Sequence, residues 1–284
     1  MNDTKQLTVG YGDVKKVKIG GDADLAFILG PCVIESLEHS FKMADSIAEI
    51  CDKHNVNWIF KACYDKDCRS SIHSFHGLGL EKGLSILDKV RQKYKVPVIS
   101  DFSVPQWAAA TGEVCDMIQV PAYLCRQTSM LRAAAETNRP IHVKKGQYMS
   151  PHNMKNVAEK LKYFGNDDIL FTDRGTFFGY GNLINDFMGL PIMQEMGYPV
   201  CFDGTHSVQC PTTTGTISTG MVQYIPHLVR AACAVGVNAL FLEVHDDPKN
   251  ALSDSGTVLH IDRLEEIIKQ SKEVFNLTKD FING

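Results

Sequence analysis

The chain has 284 residues, 44% of them apolar and 22% charged, with a formal net charge of −4. These values are ordinary for a soluble globular protein, and the acidic balance gives no reason to expect nucleic acid or a membrane surface as partner. The local Lys and Arg clusters therefore have to be explained by small anions.

Residues 5–20 alternate loosely around Gly10, Gly12 and Gly20 and predict a small β-hairpin, a plug for the floor of a barrel. After it, apolar runs and helical patterns take turns. Strands are expected at 26–29, 58–62, 96–100 and 117–120, then at 141–143, 169–172, 199–202 and 239–242. Helices are expected at 37–54, 80–94, 106–111 and 129–138, then at 151–164, 183–196, 225–235 and 262–275. The first helix shows the spacing well, with Phe41, Ala44, Ile47, Ala48 and Cys51 on one face. Pro151 suits the start of its helix, where a missing N–H costs nothing.

Continuous apolar runs, instead of alternating ones, mark parallel strands buried on both faces. Eight of them, each followed by a helix, predict an α/β fold, a (β/α)8 TIM barrel with a short N-terminal β-hairpin. One domain would span 1–284, the hairpin taking 1–22 and the barrel 23–284. A doubly wound sheet is the competing fold, but the turn GPCVIES holds a single glycine and no dinucleotide fingerprint. The start, MNDTKQLTVG, is polar and lacks the apolar core of a signal peptide, and no apolar run approaches a membrane helix. Nine cysteines without a CxxC pair read as reduced thiols, so a cytoplasmic protein is expected.

Barrels keep their chemistry at the C-terminal ends of the strands. The stretch WIFKACYDKDCRSSIHSFHG runs out of one such strand and delivers Lys61, Lys66, Arg69, Ser70 and Ser71 within eleven residues. With Arg126, Lys144 and Arg174 from later strand ends they form a cationic set that suits two phosphates, or a phosphate and a carboxylate. Asp101, Gln119 and Asp203 occupy equivalent positions. A second set, Cys32, His206, Glu243 and Asp254, has the chemistry of a site for Zn, Fe, Mn or Co. Its members are scattered, so from spacing alone a structural thiol and a core histidine stand beside a metal site.

The chain resembles the 3-deoxy-D-manno-octulosonate 8-phosphate synthases, barrel synthases that condense phosphoenolpyruvate with an aldose phosphate. LGPCVIES, FKACYDKDCRSSIHSF with GLGLEKGL, IQVPAYLCRQT, VKKGQ, DRGTFFGYGNL, FDGTHSVQ, and EVH with ALSD carry the resemblance over roughly 29–264. It implies phosphoenolpyruvate binding by Lys61, Lys66, Gln119, Ala122, Lys144 and Arg174. Arg69, Ser70, Arg126 and Asp203 would take the acceptor sugar phosphate, arabinose 5-phosphate, with Arg126 supplied by a neighbouring subunit. Lys61, Lys66, Asp101, His206 and Asp254 would be the catalytic group. Cys32 and Asp254 match the metal-dependent branch, whose ligands would be Cys32, His206, Glu243 and Asp254. The resemblance also implies a homotetramer and a product that feeds lipopolysaccharide assembly.

The departures gather on the acceptor side. Cys68 replaces an Asn amide, His76 an Arg, Ser103 a His, Gly181 a polar residue and Val222 an Arg, while the phosphoenolpyruvate and metal positions are kept. They admit two readings: drift with the same acceptor, or a related synthase for another aldose phosphate. A Schiff-base aldolase, which also keeps strand-end lysines, and a sugar-phosphate sensor without turnover are readings from other classes.

Overall fold

The structure, a computed structural model, describes residues 4–69, 71–210 and 219–283. β1 (Leu7–Val9) and β2 (Val17–Ile19) pair antiparallel, with Leu7 opposite Ile19. A parallel sheet follows: β3 (Ala26–Gly30), β4 (Trp58–Lys61), β5 (Val98–Asp101), β6 (Met117–Val120), β7 (Ile141–Lys144), β8 (Ile169–Asp173), β9 (Val200–Asp203) and β10 (Ala239–His245). Neighbours in sequence are neighbours in space, and β10 pairs with both β9 and β3, which closes the barrel. The helices α1 (Leu37–Lys53), α2 (Leu80–Tyr94), α3 (Ala108–Val114), α4 (Thr128–Glu136), α5 (Met154–Tyr163), α6 (Gly189–Gln194) and α7 (Ile225–Val235) lie between successive strands, and α8 (Leu264–Asn283) follows the last. No described helix is long and apolar enough to cross a membrane.

The barrel follows from a side-chain period of two. Phe27, Leu29, Trp58, Phe60, Ile118, Val143, Phe171 and Leu242 point outward and pack with the helices into one core. Their neighbours Ala26, Ile28, Ile59, Ile99, Met117, Leu170, Cys201 and Phe241 fill the interior as a second core. Leu7, Val9, Val17 and Ile19 belong to that inner core, so the hairpin closes the N-terminal floor as expected. Tyr11 fixes it there: the Arg139 guanidinium lies 3.6 Å from its ring centroid, and its backbone N–H donates to Asp116 at 3.0 Å.

Three expectations need correction. The helix expected over 183–196 is only α6, because Ile184 pairs back with Thr176 through backbone bonds of 2.8 and 3.0 Å and holds the preceding segment extended. The last barrel strand runs on to His245, so Glu243 and His245 sit on the strand and not after it. A short strand, β11 (Leu259–His260), pairs with Val244 and His245 and turns the 246–258 loop back over the barrel mouth.

Ile19 is fully buried between hairpin and barrel, far from the strand ends. Ile19→Ala is expected to cost about 2–5 kcal/mol in denaturant unfolding, with ligand binding at the opposite end unchanged in the folded protein.

Candidate active site

The same inner row that is apolar at the floor becomes polar at the top. Two residues beyond Ile59 comes Lys61, beyond Ile99 Asp101, beyond Met117 Gln119, beyond Cys201 Asp203 and beyond Phe241 Glu243. All five are buried, apart from partial exposure of Asp101. The strands β3 and β4 approach closely here. A Cβ on Gly30 would fall 2.0 Å from the Lys61 carbonyl oxygen, so only glycine lets the Cys32 segment lie beside Lys61.

Lys61, Lys66 and Lys144 each have a counter-charge. Lys61 Nζ lies 3.2 Å from Glu243 Oε1, 3.6 Å from Asp101 Oδ1 and 2.7 Å from Cys63 Sγ. Burial works against this ammonium, but Cys63, Asp101 and Glu243 outweigh it and raise its pKa. Burial also opposes the Asp101 and Glu243 carboxylates; Lys61 and Lys66 hold Asp101 below its usual value, and His206 with both lysines does so for Glu243. Lys66 lies 3.6 Å from Asp254 Oδ2.

Lys144 donates to Asp203 Oδ2, which also bonds His206 Nδ1 at 2.7 Å. Against burial, His206 and Lys144 push the Asp203 carboxyl far below the usual range. Asp203 divides its charge between two partners, so burial prevails at Lys144 and lowers its pKa. The Phe241 ring lies beneath both lysines, 3.2 Å from Lys144 Nζ and 5.5 Å from Lys61 Nζ at its centroid. Its negative face eases two like charges at short range.

Cys32, Glu243 and Asp254 bring one ligand atom each within 4.8 Å of one another, all buried. Cys32 Sγ lies 2.8 Å from Asp254 Oδ2. Burial, with Asp254 and Glu243, pushes the Cys32 thiol well up. Glu243 Oε2 is buried with no hydrogen-bond partner, and His206 Nε2 lies 3.6 Å from it. A thiol and two carboxylates converge beside an orphaned carboxylate oxygen, with the His206 imidazole outside this tight group but next to Glu243; the chemistry of these donors fits a divalent ion. Asp254 reaches this position at φ 51°, in the left-handed region that Asp tolerates better than most residues.

Among the remaining expected site residues the convergence is partial. Arg69 Nη1 donates to Ser253 Oγ at 2.7 Å, which links it to the Asp254 loop. Arg174 donates to Gln209 Oε1, and Gln119 Oε1 is buried without a partner. Ala122 is buried in the turn after β6. Arg126 is exposed near the start of α4, and no bond among the described residues ties its side chain to the cluster. Ser70 lies outside the described residues. Ser103 is bonded to Asp65, Gly181 takes φ 89°, and His76 Nε2 is buried without a partner.

Sequence reasoning missed Phe241, Cys63 and Ser253. Phe241 was legible by alternation, two residues before Glu243 on the same strand. Cys63 donates to Asp101 at 2.5 Å while accepting from Lys61, a bridge between strands that no local pattern reveals.

A model of the DAHP synthetase I family matches residues 3–280. A 2-dehydro-3-deoxyphosphooctonate aldolase from Protochlamydia amoebophila is 47% identical over 264 residues, 93% of this chain and 96% of that protein. A protein of the same name from Cyanothece sp. is 48% identical over 254 residues, 89% and 93% of the two chains. Another, from Rickettsia prowazekii, is 44% identical over 269 residues, 95% and 98%.

The depressed carboxyls set a pH dependence. Asp101, Asp203 and Glu243 all have lowered folded-state pKa values. Their stabilisation is present above the unfolded values near ~4 and is lost as pH falls below them. Asp203→Asn, which leaves Lys144 buried without its carboxylate, is expected to cost about 3–5 kcal/mol at pH 7. Its stability should then fall less steeply than that of the wild type between pH 5 and pH 2 in urea unfolding. An equally steep fall would remove Asp203 as a source of the acid dependence.

Proposed function

The chain belongs to the DAHP synthetase I family, and we propose that it condenses phosphoenolpyruvate with arabinose 5-phosphate and water. The products are 3-deoxy-D-manno-octulosonate 8-phosphate and inorganic phosphate, so the enzyme is a transferase. The reading is carried by the buried, counter-charged lysines at the barrel mouth, in a chain 43–48% identical to proteins named 2-dehydro-3-deoxyphosphooctonate aldolase. A product of this kind serves lipopolysaccharide assembly.

In this reading C3 of phosphoenolpyruvate attacks the aldehyde carbon of the sugar, water adds at C2, and phosphate leaves by C–O cleavage. Lys61, Lys66, Lys144 and Arg174 hold the phosphate and carboxylate of phosphoenolpyruvate, with Gln119 and Ala122 beside them. Their fixed charges bring the reactants into attack geometry and offset charge that builds on the leaving phosphate. Arg69 and Ser70 hold the sugar phosphate, helped by Arg126 of a neighbouring subunit. Asp101, linked to Lys61 through Cys63, lies where a proton at the reacting centre can be held.

Cys32, His206, Glu243 and Asp254 hold a divalent ion in this reading, one of Zn, Fe, Mn or Co. When bound, the ion supplies Lewis-acid polarisation of the aldehyde or of the attacking water. The orphaned Glu243 Oε2 supports this assignment. Exposed Tyr123, Phe178 and Tyr180, together with the exposed Arg126, support a homo-oligomer, which we take to be a tetramer. A different aldose phosphate as acceptor is the weaker reading. Its motive is the altered set of Cys68, His76, Ser103, Gly181 and Val222, and none of these three relatives carries another acceptor in its name.

Purified protein is expected to release phosphate from phosphoenolpyruvate only with arabinose 5-phosphate present. A chelator should abolish the release and added divalent metal restore it. Lys144→Met should lower kcat/KM for phosphoenolpyruvate at least about 100-fold. No release from folded, metal-loaded protein would overturn the assignment of the acceptor. Release indifferent to the chelator would overturn the metal.

A further inference from the structure

The proposed ligands Cys32, Glu243 and Asp254 come from three separate segments: the turn after β3, the end of β10 and the 246–258 loop. One side chain outside the ligand set touches the two other segments from the first. Glu35, three residues after Cys32, accepts from the Leu252 backbone N–H at 2.9 Å with Oε1. The same oxygen lies 3.2 Å from His245 Nε2. Leu252 is two residues before Asp254, and His245 is two after Glu243.

The proton in this bridge is assigned by the neighbours. The Asp247 backbone N–H donates to His245 Nδ1 at 2.9 Å, so the hydrogen of the ring sits on Nε2 and points at Glu35. Asp246 Oδ1 also lies 3.2 Å from Nδ1, but that contact is longer than the amide bond. The tautomer decides between two uses of the cluster. Glu35, His39 and His245 offer ligand atoms within 4.8 Å of one another, the arrangement of a second ion site. Ligation through His245 Nε2 would move its hydrogen to Nδ1, against the Asp247 N–H. The Asp246 carboxylate is already taken by His39 at 3.0 Å and Lys42 at 2.5 Å, which pin the end of β10 to α1.

We propose that Glu35 is a positioning residue that clamps the three ligand-bearing segments and so sets the affinity of the site for its ion. The inference rests on the metal reading given above. Outer partners of this kind typically change metal affinity about 10–100-fold when removed.

The test is cobalt(II) binding to the full chain, followed by competition with a chromophoric chelator and by the thiolate-to-cobalt absorption band. Wild type should bind one ion with that band, and Cys32→Ala should lose the band. Glu35→Ala should bind about 10–100-fold more weakly. Glu35→Gln keeps an acceptor oxygen for both donors and should stay within about threefold of wild type. His245→Gln removes one arm only and should fall between them, which covers a Glu35→Ala protein that does not fold. Wild type that binds cobalt with the band, beside Glu35→Ala and His245→Gln proteins that bind as tightly, overturns the clamp and leaves the metal reading intact. A wild type without the band overturns the metal reading itself. A second cobalt ion in wild type that disappears in Glu35→Ala overturns the clamp in favour of ligation by the cluster.

Discussion

Lys61 and Lys144 are ammonium groups with almost no access to water, and the arrangement of the barrel mouth depends on keeping both in place. An isolated buried charge costs several kcal/mol even after relaxation, so each needs a partner at contact distance. Glu243 and Asp101 supply it for Lys61, and Asp203 for Lys144, with the Phe241 ring beneath the two lysines. At Lys144 burial outweighs the Asp203 carboxylate and holds the ammonium below its usual pKa. A bound phosphate or carboxylate would complete the balance, whereas a fully paired site would have little to gain from one.

That arrangement depends in turn on the closed floor. The inner row of the barrel changes from apolar to charged over two residues, so the charges are held at one height only if the layer below them does not shift. The hairpin seals that layer from water, and Tyr11, caught between guanidinium groups and the Asp116 carboxylate, ties the hairpin to the outer helices. The apolar seal and the charged cluster therefore occupy opposite ends of the same strands. A substitution at the floor and one at the mouth are far enough apart to be read separately.

The ligand set shows a second level of organisation. Glu243 serves two neighbours at once, one oxygen facing Lys61 and the other facing His206, and its carboxylate groups with Cys32 and Asp254. Around Arg69 the contacts are sparser. Its described link runs through Ser253 to the loop of Asp254.

The amino-acid order determined the eight strands, the hairpin and most of the helices, because burial on both faces forces continuous apolar runs and helices need a period near 3.6. It also placed Lys61, Asp101, Gln119, Lys144, Asp203 and Glu243, because a strand end is a local feature. It misjudged the helix over 183–196, since the backbone pairing of Thr176 with Ile184 competes with helix formation and leaves no mark on hydrophobic spacing. Only the tertiary structure decided which counter-charge each lysine receives, that Cys63 bridges Lys61 to Asp101, and that Glu35 meets Leu252 and His245. Those contacts join residues as much as 217 positions apart, as Glu35 and Leu252 are. The contacts of Lys61 with Glu243 and of Glu35 with Leu252 and His245 follow from the closure of β10 onto β3, which brings the two ends of the chain side by side.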